Sequence, residues 1–239
     1  MPRRSYDQYC AVSRALDAAG ERWTLLVARE LLAGPRRYTD LHADLPGVST
    51  DVLASRLRDM ERDGLVERRR LTPRGAATAY ELTPRGRALL PVLRALAEWG
   101  APELAERRPT DAFRAHWLAL PLAGELERAA GGAAGTVEVR LEGGAFHVAL
   151  GPGGAAGYGD GPAEAADARL TTTEEVCARI AQGGLPLAEA VAAGSAEVAG
   201  SGPLAAALAG GARPGPPADV APGVPGPARG SGAAQRSGV

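Results

Sequence analysis

The chain contains no lysine; all 27 of its basic residues are arginine. This excludes two chemistries. A phosphate-cradling GxxxxGK loop needs its lysine, and a Schiff-base catalyst needs an amine. Cysteine is also scarce: Cys10 and Cys177 are too few and too far apart for a disulfide framework or a CxxC metal knuckle, so a reducing cytoplasmic setting is expected. The histidines, His42, His116 and His147, have no partner at metal-ligand spacing, so no zinc is expected. No apolar run approaches the ~18 residues that span a bilayer, and the arginines near the start precede no apolar export segment. Neither a membrane partner nor a cofactor is expected. The run Gly151-Pro-Gly-Gly-Ala-Ala156 formally satisfies GxGxxG/A, but Gly-Tyr-Gly-Asp-Gly-Pro follows it, and that is no helix N-terminus for a pyrophosphate. Ser195 and Ser201 lie near no base and in no GxSxG elbow, which leaves no nucleophile set and predicts a protein that is not an enzyme.

What is present divides in two. Residues 1–110 hold 19 arginines against 15 acids, a net +4, whereas residues 111–239 hold 8 against 13, a net −5. Only the first half has the sign expected for contact with nucleic-acid phosphates. Its centre is Gly47 to Arg70, where Ser49 stands as an N-cap acceptor and Gly64 sits at a left-handed C-cap position. Between them Val52, Leu53, Leu57 and Met60 form an apolar stripe, with Thr50, Ser55, Arg56, Arg58, Asp59 and Arg62 mostly away from it. After the glycine a strand begins and runs into Arg68, Arg69 and Arg70. The TPRGA turn follows, with Arg74 at its tip, and a return strand runs over 77–82. Upstream, helices are expected over Tyr6–Ala19, over Trp23–Leu32 and from a Thr39 cap to Leu45. A short helix, a Pro-Gly turn and an arginine-bearing helix before a basic hairpin make a winged helix-turn-helix. A helix over Thr83–Trp99 follows, and its apolar face is wider than a small domain needs, which assigns part of it to a dimer interface.

Several runs resemble the HxlR-type winged helix transcription factors. They are Cys10-Ala-Val-x-x-Ala-Leu-Asp-x-x-Gly-x-x-Trp23, Arg29-Glu-Leu-Leu-x-Gly-Pro-Arg-Arg-Tyr, Leu-Pro-Gly-Val-Ser49, Leu-x-x-Arg-Leu-Arg, Asp63-Gly-Leu-Val and Tyr80-Glu-Leu-Thr-Pro-x-Gly-Arg87. The match is collinear over about residues 6–100. The resemblance implies a homodimer on a two-fold-related double-stranded operator, with the fourth helix in the major groove and the wing against the backbone. It also implies that Cys10 senses oxidants or electrophiles; the competing reading is a small buried apolar residue.

Residues 101–112 read as a linker. Beyond it the chain turns Ala/Gly-rich. A helix is expected over 113–130, strands over 136–141 and 145–150 across Glu-Gly-Gly, then a Gly-rich loop and a strand over 168–171. A Thr173-capped helix, a helix from Pro186 to Ala193, a strand over 196–199 and a helix over 203–209 complete the pattern. The segment ADARLTTTEEVCARIAQGGLPLAEAVAAGSAEVAGSGPLAAALAG resembles the C-terminal half of sterol carrier protein 2-like domains. That resemblance implies an apolar tunnel for lipid-like molecules, and hence a module that senses a small apolar ligand or stabilises the dimer. The tail from about Gly211 has no apolar periodicity and is expected to be disordered.

The expected architecture is therefore multidomain. A mainly-α winged helix-turn-helix occupies 1–100, a linker 101–112, a small α+β sterol-carrier-like domain 113–210 and a disordered tail 211–239. The expected function is that of a dimeric transcriptional repressor modulated by an apolar ligand in the second domain. The alternatives are a switch through Cys10, or a DNA-tethered carrier module with a purely structural pocket. The candidate DNA-contacting residues are Ser49, Thr50, Ser55 and Arg56 on the helix, with Arg68, Arg69, Arg70 and Arg74 on the wing.

Overall fold

A computed structural model describes residues 5–70, 78–105, 107–152 and 154–211. The wing tip with Arg74, and all of the predicted tail beyond Gly211, lie outside the described residues.

The N-terminal region runs α1 (Ala11–Ala19), α2 (Thr24–Leu32), α3 (Tyr38–Asp44), α4 (Thr50–Arg62), β1 (Val66–Arg70), β2 (Thr78–Leu82), α5 (Pro84–Arg87) and α6 (Leu90–Gly100). Its core is Val27, Leu31, Leu41, Leu45, Leu53, Leu57, Met60 and Leu82, all essentially inaccessible. Burying each large aliphatic side chain contributes about 1.5–3 kcal/mol. Ser49 caps α4, its hydroxyl accepting from the Val52 amide at 3.3 Å. Gly64 takes the left-handed conformation (φ +67°) that ends the helix and turns the chain into the wing.

Four local expectations differ from the structure. Helix α1 begins only at Ala11, because the Asp17 carboxylate holds the preceding segment in a non-helical path by accepting from the Tyr6 amide (3.0 Å) and the Ser5 hydroxyl (3.1 Å). Thr39 does not cap α3. The helix starts one residue earlier, and Asp40 in its first turn accepts from the Arg37 amide at 3.2 Å. Val52 leaves the buried stripe and is 43% exposed, its place in the core being taken by Val48 at 6%. The helix expected over 83–99 is broken into α5 and α6, since Pro91 near the start of α6 cannot donate to the preceding turn.

Ala101–Ala105 form a 3-10 turn continuing α6, and a second 3-10 turn, Ala115–Leu118, leads into α7 (Ala119–Ala130). The C-terminal sheet comprises β3 (Gly135–Leu141), β4 (Gly144–Gly151), β5 (Gly154–Asp160), β6 (Ala168–Thr172) and β7 (Ala196–Ala199), in the order β5-β4-β3-β6-β7. The β3/β6 pair is parallel and the other neighbours are antiparallel. Helix α8 (Glu174–Ala181) is capped by Thr173, whose hydroxyl accepts from Val176 N at 3.2 Å; α9 (Leu187–Ala192) and α10 (Pro203–Ala206) complete the layer. Strand β5 replaces the expected Gly-rich loop. The GxGxxG-like run begins at the end of β4, Gly151, and from Gly154 (φ +104°) lies in β5, so a strand stands where a dinucleotide cradle would need a helix. Phe146, Val137, Val139 and Leu170 from the sheet are fully buried, as are Leu122, Leu126, Ile180 and Leu187 from the helices.

The two regions meet through a polar clamp. Glu30, on the buried side of α2, is completely inaccessible. It accepts from His116 Nε2 (2.7 Å), Trp117 Nε1 (2.8 Å) and Arg29 Nε (2.9 Å). His116 Nδ1 faces Asp160 Oδ1 at 3.2 Å, and Asp160 also accepts from Arg36 Nη2 at 2.8 Å. Carboxylate oxygens only accept, so each nitrogen of His116 is placed to donate. Burial opposes ionisation of Glu30, but the His116 hydrogen bond and the Arg29 charge outweigh it and hold the carboxyl below its usual range. Asp160 is likewise lowered, partial burial being outweighed by the Arg36 hydrogen bond and the His116 charge. The Tyr158 hydroxyl donates to the Arg29 carbonyl at 2.6 Å, and Arg114 donates to Asp44 Oδ1 and the Ala43 carbonyl, each at 2.9 Å.

Candidate nucleic-acid interface

The exposed face of α4 carries Asp51, Val52, Ser55, Arg58 and Arg62, spaced so that they project from one side of the helix while Leu53, Leu57 and Met60 anchor the other. Thr50 is exposed at its first turn, and its carbonyl accepts from the Tyr38 hydroxyl at 2.7 Å, which ties α4 to α3 and fixes the helix-turn-helix angle. Ser49 uses its hydroxyl as the cap, so its hydroxyl hydrogen remains available to a partner.

The arginines named from sequence fall into different environments. Arg56 is only 17% exposed and is drawn to the side, pairing with Glu21 (3.5 Å) and Asp59 (3.4 Å). Arg68 lies over the Tyr80 ring at 5.4 Å and pairs with Glu61 at 2.8 Å. Arg69 pairs across the hairpin with Glu81 at 3.3 Å. Arg70, on the same strand, is exposed and has no carboxylate within ion-pair distance among the described residues.

Arg58 and Arg62 both have acidic neighbours in sequence, Asp59, Glu61 and Asp63. The structure separates them. Asp59 takes Arg62 at 2.8 Å, whereas Arg58 is exposed with no ion pair among the described residues. The spacing from Ser55 to Arg58 to Arg62, three and then four residues, was the available signal. The wing is held beside α4 by β1/β2 pairing from Val66↔Leu82 to Arg70↔Thr78 and by a further bridge from Arg36 to Tyr80. Gly86 sits where a Cβ would collide with the Leu65 carbonyl, so the base of the wing packs onto α5 at backbone distance. The arrangement presents a polar helix face and positive charge on an adjacent hairpin, the geometry for a groove and a flanking phosphate backbone.

Two further surfaces border this site. Val12 and Leu16 on α1, with Tyr9 before it, and Val92, Leu96 and Trp99 on α6 are exposed apolar side chains, Trp99 at 83%. Cys10 is exposed at the N-terminal end of α1, so the buried-apolar reading of that residue does not hold. Hydrogen bonding from the Ser13 and Val12 amides lowers its thiol pKa. Cys177, by contrast, is buried, which pushes its thiol up to about 12. No group of side chains suited to a metal occurs among the described residues, nor is any described helix long and apolar enough to cross a membrane.

The comparisons agree with this geometry. Residues 18–108 match the HxlR-like helix-turn-helix family. The chain is 35% identical over 86 residues to the uncharacterized HTH-type transcriptional regulator YvaP of Bacillus subtilis, covering 36% of this chain and 80% of that protein. It is 37% identical over 97 residues to the uncharacterized HTH-type transcriptional regulator sll1512 of Synechocystis, covering 41% and 72%. To the HTH-type transcriptional regulator YodB of Bacillus subtilis it is 33% identical over 85 residues, covering 36% and 76%. An exposed polar helix face and a basic wing on a chain with these relatives identify a transcriptional regulator that belongs to the HxlR-like helix-turn-helix family.

Proposed function

We propose that the protein is a homodimeric, operator-specific repressor, with α4 reading the major groove and the wing gripping the flanking backbone. The observation that carries this reading is that Arg58 and Arg70, one on the helix face and one on the hairpin, are exposed and without an ion pair among the described residues. Arginines already neutralised by a carboxylate release few counterions on binding, whereas unpaired ones release them fully. Ser49, Thr50 and Ser55 supply short polar contacts. Arg68, Arg69 and Arg74 add wing charge, and Arg56 contributes only after giving up Glu21 and Asp59. The apolar side chains of α1 and α6 supply the dimer face; leaving Trp99 and Leu96 in water is unfavourable for a lone chain.

The C-terminal domain is inferred to be a sterol-carrier-like module that passes the presence of a small molecule to the DNA-binding region. The succession β6-α8-α9-β7-α10 supports this, as does the clamp through Glu30, which ties any movement of the module to α2. Redox control through Cys10 is a second reading, favoured by the exposure of its thiol and its lowered pKa.

The test is binding to the DNA upstream of the protein's own gene and to unrelated DNA, over a salt series. The expected result is tight binding confined to one fragment, with a salt slope that falls by about 1 in Arg70→Ala. Equal binding to both fragments, with the same loss on adding salt, would refute operator reading.

A further inference from the structure

A cavity of about 870 Å³ lies between α2, the 101–118 connection and α8, a size within the usual range for small-molecule sites. Its walls carry three aromatic rings, and each has a guanidinium over its face. Arg22 stands 5.4 Å from the centroid of Trp23, Arg29 4.4 Å from Trp117 and Arg107 5.2 Å from Phe113. A stacked guanidinium keeps its N–H edge free to grip a carboxylate in the plane of the fork. Two of the three edges are already occupied. Arg29 is held by Glu30 at 2.7 Å, and Arg107 by Glu174 at 3.1 Å. Arg22 is exposed and has no carboxylate within ion-pair distance among the described residues.

The remaining charges narrow the choice of ligand. Glu103, Asp111 and Glu175 also line the cavity, and Arg179 is the other cation among its described lining residues, exposed and, like Arg22, without an ion pair among the described residues. Three carboxylates without an arginine partner among the described residues, set against two open guanidinium groups, oppose a polyanion such as a nucleotide phosphate, and Arg22 is the open fork that is itself stacked on a ring, so a single carboxylate carried by a flat ring fits it. Ring faces backed by guanidinium favour a flat π-system over an aliphatic chain.

We propose that this cavity binds a planar aromatic monocarboxylate, its ring laid among Trp23, Phe113 and Trp117 and its carboxylate on the Arg22 fork. The regulatory meaning of the site rests on the ligand-modulated reading above, but binding itself requires no DNA. The site joins both regions of the chain. Trp117 donates to Glu30 of α2, and Arg114, between the ring-bearing Phe113 and Trp117, holds the C-terminal end of α3.

The experiment is calorimetric titration of the full chain, free of DNA, with 2-naphthoate, 2-naphthamide and decanoate, on the wild type, Arg22→Ala and Arg85→Ala. The expected result is saturable binding of 2-naphthoate, about tenfold weaker in Arg22→Ala and unchanged in Arg85→Ala, with the amide and decanoate also at least about tenfold weaker. Three outcomes would overturn the proposal: no saturable heat up to about 1 mM 2-naphthoate, equal affinity in Arg22→Ala, or decanoate bound as tightly. DNA binding by the same preparation is scored separately, so failure of the regulator reading and failure of this site are distinguishable.

Discussion

Glu30→Ala removes the centre of the clamp between the two regions. Glu30 is fully buried and receives donors from His116, Trp117 and Arg29, while His116 is held on its other side by Asp160. Alanine leaves one imidazole nitrogen of the buried His116 without an acceptor, removes the partner of the half-buried Trp117 N–H, and leaves Arg29 without its carboxylate. Breaking one partner of a buried ionic network costs about 3–5 kcal/mol. For a chain of this size, each kcal/mol lowers Tm by about 2–4 °C, so a fall of roughly 10 °C is expected. Glu30→Gln is the informative companion. Its carbonyl can still accept from Trp117 and Arg29, and its amide can donate to His116 once that ring nitrogen has lost its hydrogen and turned acceptor. The expected cost is about 1–3 kcal/mol. The assay is urea unfolding followed by tryptophan fluorescence, with Trp117 reporting the interface directly. If Glu30→Ala came within about 1 kcal/mol of wild type with unchanged emission, the clamp would not hold the regions together and the argument would fail.

The same clamp sets a pH dependence: Glu30 and Asp160 both have folded pKa values below their unfolded ones, so their stabilisation is complete above about pH 5 and is lost as pH falls through the folded values, which acid titration of the Tm will show. Gly86→Ala forces a Cβ onto the Leu65 carbonyl, and it is expected to cost at least about 2 kcal/mol and to abolish DNA binding by displacing the base of the wing; circular dichroism melting and gel shift check the two effects. Gly64→Ala meets no neighbouring atom but must hold φ +67°, so it should cost only about 1 kcal/mol and leave operator binding intact. Cys10→Ser should leave basal DNA affinity unchanged and remove any response to hydrogen peroxide; a response retained in the variant would end the redox reading.

The winged helix was legible because each of its elements has its own local signal. Ser49 and Gly64 bracket α4, Pro84 opens α5, and Leu53, Leu57 and Met60 repeat at helical spacing. The errors came where tertiary contacts decide. Val52 reads as core by spacing alone, yet it is left on the exposed face of α4 while Val48, in the preceding turn, is buried. Strand β5 was invisible because Gly154-Ala-Ala-Gly157 has neither β-branched side chains nor alternation. It forms nonetheless, since β4 pairs with it from Phe146↔Asp160 to Gly151↔Gly154, with a register shift at Ala149/Leu150, and Tyr158 anchors it on the Arg29 carbonyl. Pairing of the wing arginines was only half legible. The sequence places Glu61, Glu81 and Asp59 within reach, but which arginine each one takes is settled by helix phase and strand register. The clamp left only one faint trace in the sequence, a lone glutamate on the apolar side of α2. His116 and Asp160, distant in sequence, come together only when the sheet docks.

That docking is polar where an apolar contact would have been simpler, and the choice has a consequence. Buried ionic contacts contribute little net stability but tolerate few alternative arrangements, so they fix orientation more than they add affinity. Here they grip α2 through Glu30, the turn after it through Arg36, and the end of α3 through Asp44 and the Ala43 carbonyl. Among the described residues the interdomain hydrogen bonds and ion pairs leave the exposed face of α4 untouched, so that face stays open while α3, tied to α4 through Tyr38, is held from behind. Residues 113–117 therefore hold α3 through Arg114 and line the cavity through Phe113 and Trp117. A molecule that binds one position of this segment better than another shifts α3 by at most that difference in binding free energy, and DNA that prefers one setting of α3 shifts affinity for that molecule by the same coupling free energy. Arg114→Ala cuts this link without touching the rings. It should leave 2-naphthoate affinity within about twofold while removing any effect of 2-naphthoate on DNA binding, as measured by paired titrations with and without operator. If the effect persisted in Arg114→Ala, the coupling would have to run through Glu30 alone.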